Sequence, residues 1–399
     1  HNAPTNTRNH PMTAASPRIE TYFAQIDATI QETHAIAQQA RVKGYDPETT
    51  VEIKLAKNMA ERVIGLISVL CPSLVGSGAD TRITELEKQY GPLDWRVALT
   101  IALEIAQQKY CTFPNQLDAI SIGIRTGFAY ITLGSVSSPL DGIVKLELKN
   151  RNDGQGTYLS MSFAGPVRNA GGTAAGVSVI IADYVRKNLG VAAYDATPDE
   201  VRRASVELQD YHDRVTNLQY FPSEKEVSFL VSKLPVEVAG EPSEDFEVSS
   251  CKDLPRVPTN KIRSGYCLLL SSCIPLKAPK LWKNLGSWGK DFGLDTTWGF
   301  LEEFLKIQKS VKAGTATPAT GDKATGPKVL PDNTFLADLV AGRPVLGFPL
   351  RAGAFRLRYG RSRASGLMGQ CIHPATMVIL DAYIATGTQL KTERPNKSA

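Results

Sequence analysis

Apolar residues near the start of the chain recur with a helical period. Over residues 18–41 they follow a spacing of about 3.6 positions, which predicts an amphipathic helix. Turn formers between Gly44 and Pro47 end this pattern. The same period returns over residues 80–110 and predicts further helices there. The first pattern is carried by Ile19, Tyr22, Phe23, Ile26, Ile30, Ala37 and Ala40.

Between residues 143 and 163 the pattern changes to strict alternation. Apolar and charged residues alternate over 144–148, and apolar residues alternate again at Leu159, Met161 and Phe163. Turn formers occupy residues 150–156 between the two stretches. This arrangement predicts a β-hairpin with a long connecting loop.

Helical patterns dominate the next hundred residues. The glycine-rich segment GPVRNAGGTAAG, residues 165–176, comes directly before an apolar helical pattern. Thr197 with Glu200, and Ser223 with Glu226, have the spacing of capping boxes and predict the first turns of two more helices. After these we expect a β-rich stretch over residues 236–270 and helices over 277–308, the latter with Trp282, Trp288, Trp298 and Phe304.

One later segment cannot bury a core. Residues 310–328, SVKAGTATPATGDKATGPK, contain one Val and no Leu, Ile or aromatic residue. Such a composition predicts a flexible linker. We therefore expect a disordered leader (1–16), a domain (17–309), a linker (310–329) and a separate unit (330–399). Whether the domain consists of one part or of two subdomains divided near residue 255 stays open.

Composition narrows the class of protein. With 42% hydrophobic and 21% charged residues, the chain is typical of globular proteins, which excludes a wholly disordered, collagen-like or coiled-coil chain. No run of 18 apolar residues or secretory signal occurs, so we expect no membrane partner and a cytoplasmic location. The six cysteines form no C-x-x-C pair and the five histidines are scattered, so we expect no metal site and reduced thiols.

The strongest chemical signal is a run of arginines near the end of the chain. Between residues 343 and 363 six arginines occur without an acidic residue. A strand would place Arg356 and Arg358 on one face, and guanidinium groups suit phosphate oxygens. We predict a site for a nucleic-acid backbone, with a solvated strand face as the alternative. The candidate binding residues are Arg343, Arg356, Arg358, Arg361, Arg363, Lys391 and Arg394.

The glycine-rich turn is a second, weaker candidate. Glycines before a helix can bring backbone amides to a phosphate, but neither common nucleotide-binding glycine pattern is present. We therefore place a tight structural turn first and phosphate binding second. The residues concerned are Gly165, Arg168, Gly171, Gly172 and Thr173.

The segment LQDYHDRVTNLQYFPS carries no specific chemistry by pattern. His212 is expected to have a structural role. Glu207, Asp210 and Asp213 are expected to form an exposed acidic helix face rather than a metal site. No D-x-D pair occurs that could hold two metal ions, so we assign no catalytic residue in this chain.

Several long motifs together resemble the large subunit of the archaeal family-D DNA polymerase. They occur in the family's order, and the resemblance as a whole covers nearly everything from about residue 17 to residue 399. The motifs are FAGPVRNAGGTAAGVSVIIADYVRKNLG, YHDRVTNLQYFPS, LPVEVAGEPSEDFEVS, GAFRLRYGRSRASG and HPATMVILDAYIATGTQLKTERP.

The resemblance implies a fold and a set of partners. It implies a multi-domain α+β chain: an N-terminal α/β domain, a linker, and the opening strands of a double-psi β-barrel catalytic core. The family's catalytic aspartates with their Mg²⁺ ions, its zinc modules and its sliding-clamp peptide would all lie beyond residue 399. The partners would be a DNA primer–template and a small 3′–5′ exonuclease subunit, in an archaeal cytoplasm near the nucleoid.

The fragment is accordingly expected to bind DNA through the basic residues above and to support subunit assembly, without catalytic activity of its own. Two alternatives stay open. One is a non-catalytic module for DNA binding and assembly, and the other is a metabolic enzyme that binds a nucleotide at the glycine-rich turn.

Overall fold

The computed structural model describes residues 17–44, 56, 58–132, 137–216, 218 and 220–315, and three short strands beyond them. The chain divides into two compact units with a boundary between Arg62 and Val63.

The first unit contains the long helix α1 (Pro17–Val42), as the apolar period predicts. Ile26 and Ile30 are half-buried within it, whereas Tyr22 and Phe23 are exposed. The helix is therefore confirmed, and among the described residues its apolar side chains stay partly accessible.

A helical layer opens the second unit. Helix α2 (Met59–Ile67) spans the boundary and is followed by α3 (Ala79–Tyr90), α4 (Trp95–Ala106) and α5 (Gln116–Ile131). Asp94 caps α4 by accepting a hydrogen bond from the Arg96 amide, and Asn115 caps α5 by accepting one from the Asp118 amide. The helices predicted over residues 80–110 are thereby confirmed.

Helices α4 and α5 pack with their backbones unusually close. A Cβ on Gly123 of α5 would lie 2.3 Å from the Ala102 carbonyl oxygen of α4. A Cβ on Gly127 would lie 2.8 Å from the Ala98 carbonyl oxygen. The absence of side chains at these two positions of α5 is what allows the contact.

The predicted hairpin is confirmed. Strands β1 (Ile143–Asn150) and β2 (Thr157–Phe163) pair in antiparallel fashion. A third strand, β3 (Glu237–Gly240), pairs with β2 in parallel, with Phe163 opposite Gly240. The carboxyl ends of β2 and β3 therefore lie at the same edge of the sheet.

Both predicted capping boxes are present. Helix α6 (Gly172–Asn188) follows the glycine-rich turn and is buried along most of its length. Helices α7 (Pro198–Arg214) and α8 (Glu224–Lys233) begin at Thr197 and Ser223, each of which makes the reciprocal bonds of the motif.

The β-rich prediction for residues 236–270 is wrong beyond β3. Apart from isolated bridges, the chain enters α9 (Ser264–Leu268) and a π-helical turn (Leu269–Cys273). The apolar run from Tyr266 to Leu270 is fully enclosed. A short apolar run of this kind suits a buried helix as well as a strand, so its period alone could not decide.

The remaining helices are α10 (Ile274–Trp288), α11 (Asp295–Trp298) and α12 (Phe300–Thr315), as predicted for 277–308. Helix α12 continues into the first residues of the predicted linker. Just before that linker, Gln308 anchors the helix by donating to the Tyr220 hydroxyl and to the Pro275 carbonyl. The rest of that linker lies outside the described residues, as does the predicted leader.

After the predicted linker, the structure describes three strands: β4 (Val345–Gly347), β5 (Arg356–Arg358) and β6 (Lys391–Thr392). They form an antiparallel sheet in the order β4-β5-β6. The chain is thus of mixed helix and sheet, in agreement with the predicted α+β class. No helix in the described part is long and apolar enough to span a bilayer.

Arg256 is the centre of a buried charge cluster beside this fold's first sheet. Its guanidinium Nη1 donates to Asp195 at 2.6 Å, and its Nε and Nη2 donate to Glu200 at 2.8 and 2.6 Å. The same group lies over the rings of Tyr158 and Tyr194, with distances of 5.0 and 5.1 Å to the ring centroids. The cluster thereby joins the loop after β3 to the amino end of α7.

The two acids of this cluster make stability depend on pH. Burial works to raise the pKa of Glu200 and of Asp195, but hydrogen bonds, above all from Arg256, outweigh it and hold both pKa values below their usual range. A carboxyl group with a lowered pKa in the folded state stabilises the fold above its unfolded pKa. That contribution is lost as the pH falls through the folded pKa.

We predict that Arg256→Gln destabilises the protein by about 3 kcal/mol at pH 7, because it leaves buried carboxylates without their partner. The deficit should shrink as the pH falls, because the unpaired carboxylates of the variant take up protons and the wild-type protein loses the contribution of its lowered pKa values. Urea unfolding between pH 7 and pH 3 measures both effects. Arg202→Gln, which removes an exposed cation of α7, is the control and should cost less than about 0.5 kcal/mol throughout. A deficit for Arg256→Gln that does not change with pH would contradict the prediction.

Candidate nucleic-acid interface

The strand predicted across the arginine run is present as β5. Its register places Arg358 opposite Val345 on β4 and opposite Lys391 on β6. Two of the predicted basic residues, far apart in sequence, thus occupy paired positions.

The structure describes one further member of the predicted basic set. Arg356 begins β5, two positions before Arg358. Arg343, Arg361, Arg363 and Arg394 lie outside the described residues, and their role stays a prediction.

The glycine-rich turn is built for close packing. Residues Gly165–Ala170 form a 3₁₀ turn, and Gly171 has a φ of 79°, a conformation that favours glycine. A Cβ on Gly172 would lie 2.5 Å from the Ser272 carbonyl oxygen and 3.4 Å from the Cys273 Cα. These contacts favour the structural interpretation of Gly172, since its missing side chain allows α6 to begin against the π-helical turn.

Several of the sequence motifs meet at the carboxyl edge of the β2–β3 pair. The glycine-rich turn leaves β2 there, and a Cβ on Gly265 would lie only 2.1 Å from the Phe163 carbonyl oxygen at the strand's end. Ser243, which follows β3, donates to the Ser264 hydroxyl at 2.8 Å, and that hydroxyl donates to Glu244. In α/β folds this edge is where ligands commonly bind.

Two cations lie beside this edge. Arg168 lies in the glycine-rich turn itself, and the Lys277 Cε lies 3.2 Å from the position that a Cβ on Gly172 would occupy. Burial raises the pKa of the Cys273 thiol to about 12, and the positive charges of Lys277 and Arg168 oppose that rise. Arg168 is exposed, and Lys277 is half-buried. Neither forms an ion pair with any described residue.

Lys277 begins a basic row along α10 that sequence analysis missed. Lys277, Lys280 and Lys283 follow one another at intervals of three residues, and α10 contains no acidic residue. Lys280 and Lys283 are exposed and, like Lys277, form no ion pair with the described residues. We name these three residues the α10 lysine row. Its signal was available in the segment KAPKLWK, where the lysine spacing suits one broad face of a helix.

The expected exposed acidic face of α7 is wrong for two of its three members. Glu207 is fully buried and accepts from the Arg263 amide and from its Nε and Nη2 at 2.8, 3.0 and 2.7 Å, and from Arg203 Nε at 3.4 Å. Asp210 is buried and accepts from the Ser249 amide at 2.6 Å. Only Asp213 is exposed. The partners of the buried acids include residues far along the chain, which local spacing does not reveal.

His212 fits its expected structural role. Its Nδ1 accepts from the Leu218 amide at 3.1 Å, and its ring stacks on Phe221 with centroids 4.5 Å apart. The described residues contain no group of three or more His, Cys, Asp or Glu side chains that could hold a metal ion.

Two models of known protein families match successive segments of the chain. The family model "DNA polymerase II large subunit DP2, N-terminal" matches residues 21–307, and the model of the DP2 central domain matches residues 322–399. The chain therefore belongs to the family of large subunits of archaeal DNA polymerase II, also called family D. The resemblance drawn from its motifs is confirmed.

Curated relatives agree with this assignment. The DNA polymerase II large subunit of Nanoarchaeum equitans is 43% identical over 397 residues, which cover 94% of this chain and 32% of that protein. The same subunit of Methanosarcina barkeri is 39% identical, covering 97% and 32%, and that of Archaeoglobus fulgidus is 40% identical, covering 95% and 31%. The chain spans about a third of the length of these relatives.

The geometry of the glycine-rich turn generates a prediction. Gly172→Ala should lower the free energy of unfolding by about 3 kcal/mol, because its Cβ meets backbone that must shift. Gly165→Ala, in the same turn, should stay within about 0.5 kcal/mol of wild type, since no atom lies within 4 Å of its added Cβ. Urea unfolding of both variants checks this. Equal stability of the two would remove the packing explanation for Gly172.

Proposed function

We propose that this chain is the N-terminal part of the large subunit of a replicative DNA-dependent DNA polymerase. The observation that carries the proposal is the match of two successive family models, in order, over nearly the whole chain. In the complete enzyme the reaction is attack of a primer 3′-hydroxyl on the α-phosphate of a deoxynucleoside triphosphate. A bond forms from that hydroxyl oxygen to phosphorus, and pyrophosphate leaves.

The chemistry of that step would come from residues outside this chain. The part of the chain that the structure describes offers no carboxylate cluster that fits two Mg²⁺ ions, and no cysteine and histidine set that fits zinc. We therefore derive no metal-dependent step from these residues. The catalytic aspartates, the zinc modules and the sliding-clamp peptide belong, in this proposal, to the remaining two thirds of the subunit.

The contribution of this chain is to hold the phosphate backbone of the primer–template. Arg358 and Lys391 occupy opposed positions on β5 and β6, and a backbone phosphate between such positions would offset their repulsion. Arginine adds geometric fit, because its guanidinium presents a planar fork of donors to phosphate oxygens. The α10 lysine row supplies point charges at a second place, and Arg168 adds an exposed one in the glycine-rich turn.

The finer architecture follows from the same family assignment. We propose that β4, β5 and β6 are opening strands of the first double-psi barrel and that residues 17–309 are the N-terminal domain. The small exonuclease subunit is then the protein partner, and the complex acts on chromosomal DNA in the cytoplasm.

Two alternative functions make different demands on the structure. A non-catalytic DNA-binding and assembly module describes this fragment equally well when it is taken without the rest of the subunit. A nucleotide-binding metabolic enzyme requires the glycine-rich turn to receive a phosphate. The close contact of Gly172 with Ser272 argues for packing there, so no observation favours this second alternative.

We predict that the double variant Arg358→Glu with Arg361→Glu binds primer–template at least about tenfold more weakly at low salt. Two lost phosphate contacts should also reduce the slope of log affinity against log salt by about 2, since each contact releases a counterion. Fluorescence anisotropy with a labelled primer–template, repeated over a salt series, measures both quantities.

The matched control for that variant is Arg202→Glu with Lys225→Glu. It changes net charge equally, at exposed positions of α7 and α8, and should leave the salt slope unchanged. Lys280→Glu with Lys283→Glu tests the α10 lysine row in the same assay and should also weaken binding. Wild-type affinity in the arginine variant would exclude the arginine run from the DNA site.

A second prediction concerns activity. The purified 399-residue chain, supplied with primer–template, deoxynucleoside triphosphates and Mg²⁺, should not extend the primer, because its sequence contains no D-x-D pair to hold the two metal ions. Gel analysis of a labelled primer measures this. Extension that depends on the added triphosphates would show that the chain contains a catalytic centre of its own.

A further inference from the structure

Two cysteines from separate parts of the second unit lie in contact. The Sγ atoms of Cys71 and Cys111 are 4.0 Å apart, although the residues are 40 positions apart in sequence. Cys71 follows α2, and Cys111 lies in the turn after α4. The S–S distance in a disulfide is about 2.05 Å, so the two sulfurs would have to approach by about 2 Å to form one. Side-chain rotation and small backbone shifts would supply this movement.

The backbone on both sides of this pair is held in place. The Cys71 amide donates to the Ile67 carbonyl at 2.9 Å, and the Cys71 carbonyl accepts from the Leu74 amide at 3.2 Å. On the other side, the Tyr110 hydroxyl donates to Glu104 at 2.6 Å, and Arg82 of α3 fixes that carboxylate by donating at 3.1 and 3.2 Å. The residue before Cys111 is thereby anchored to both α3 and α4.

The immediate surroundings suit exchange chemistry. Cys111 is half-buried and Cys71 is buried. A small oxidant can therefore reach the Cys111 sulfur, while the Cys71 sulfur is shielded from solvent. The Ser73 hydroxyl lies 3.3 Å from the Cys71 sulfur and also interacts with the Cys111 thiol, where it works to lower a pKa that burial raises. Because the pKa of Cys111 stays above its usual value, the nucleophilic thiolate becomes more populated as the pH rises, and exchange is favoured at alkaline pH.

We propose that Cys71 and Cys111 form a reversible disulfide, with a small-molecule disulfide such as oxidised glutathione as the oxidant. The Cys111 thiolate attacks one sulfur of that molecule, forms a mixed disulfide and releases one glutathione thiolate. The Cys71 thiolate then attacks the Cys111 sulfur and releases the second glutathione thiolate. The two protons from the cysteine thiols end on the released glutathiones, so the protein is oxidised by two electrons and the oxidant is reduced by two.

The bond would tie the segment after α2 to the turn after α4 across helices α3 and α4. Closing a loop of this length restricts the unfolded chain and raises stability. For a unit of this size we expect the melting temperature to rise by about 5 to 10 °C. The site does not depend on the proposed polymerase function, since neither residue belongs to the basic surfaces.

The test uses the full chain incubated with oxidised glutathione at pH 8. Free thiols are then blocked with N-ethylmaleimide, and the protein is digested without reduction for mass spectrometry. We expect a cross-linked peptide pair containing Cys71 and Cys111 as the main disulfide product. Dithiothreitol should separate the pair and return the melting temperature to that of the untreated chain.

Two variants complete the design. Cys111→Ser should abolish both the cross-link and the rise in melting temperature. Cys251→Ser removes a half-buried cysteine elsewhere in the same unit and should leave both unchanged. The proposal is overturned if Cys111 in the wild-type chain stops at the glutathione mixed disulfide. It is equally overturned if Cys71 and Cys111 both remain alkylated under conditions in which Cys251 is oxidised.

Discussion

Contact of backbone against backbone at the carboxyl end of β2 is the constraint on which the surrounding structure depends. Gly265 at the start of α9 leaves no room for a Cβ beside the Phe163 carbonyl, and Gly172 leaves none beside Ser272. These close approaches bring α6, α9 and the π-helical turn to one edge of a three-stranded sheet. Because so little space separates the elements, a small change at either glycine would displace all of them together.

Buried charge then holds the loops that surround this edge. Glu207 forms ion pairs with Arg203 of its own helix and with Arg263, the residue before α9. Arg256 forms ion pairs with both Asp195 and Glu200. Each acid is paired and hydrogen-bonded, which is the condition under which ionised groups are tolerated in an interior. These pairs stabilise the arrangement of the loops around the sheet edge.

Among the described residues, the buried charges are paired or hydrogen-bonded, whereas several surface cations have no acidic partner. Arg168 and the α10 lysine row find no acidic partner among the described residues, and Arg358 stands opposite another cation in the β4–β6 sheet. These unpaired cations among the described residues, Arg168 and the α10 lysine row, are one basis of the phosphate contacts proposed above. Membership of a DNA polymerase large-subunit family is in accord with that chemistry.

Local patterns in the sequence determined the hairpin of 143–163, both capping boxes, the strand at Arg356–Arg358 and the family, because each depends on residues close together in the chain. Tertiary structure alone decided that residues 264–270 are helical, that Glu207 is buried and that Cys71 meets Cys111. A short apolar run fits either a strand or an enclosed helix, and only packing selects between them. Contacts between distant residues follow from how the elements pack, which no local spacing encodes.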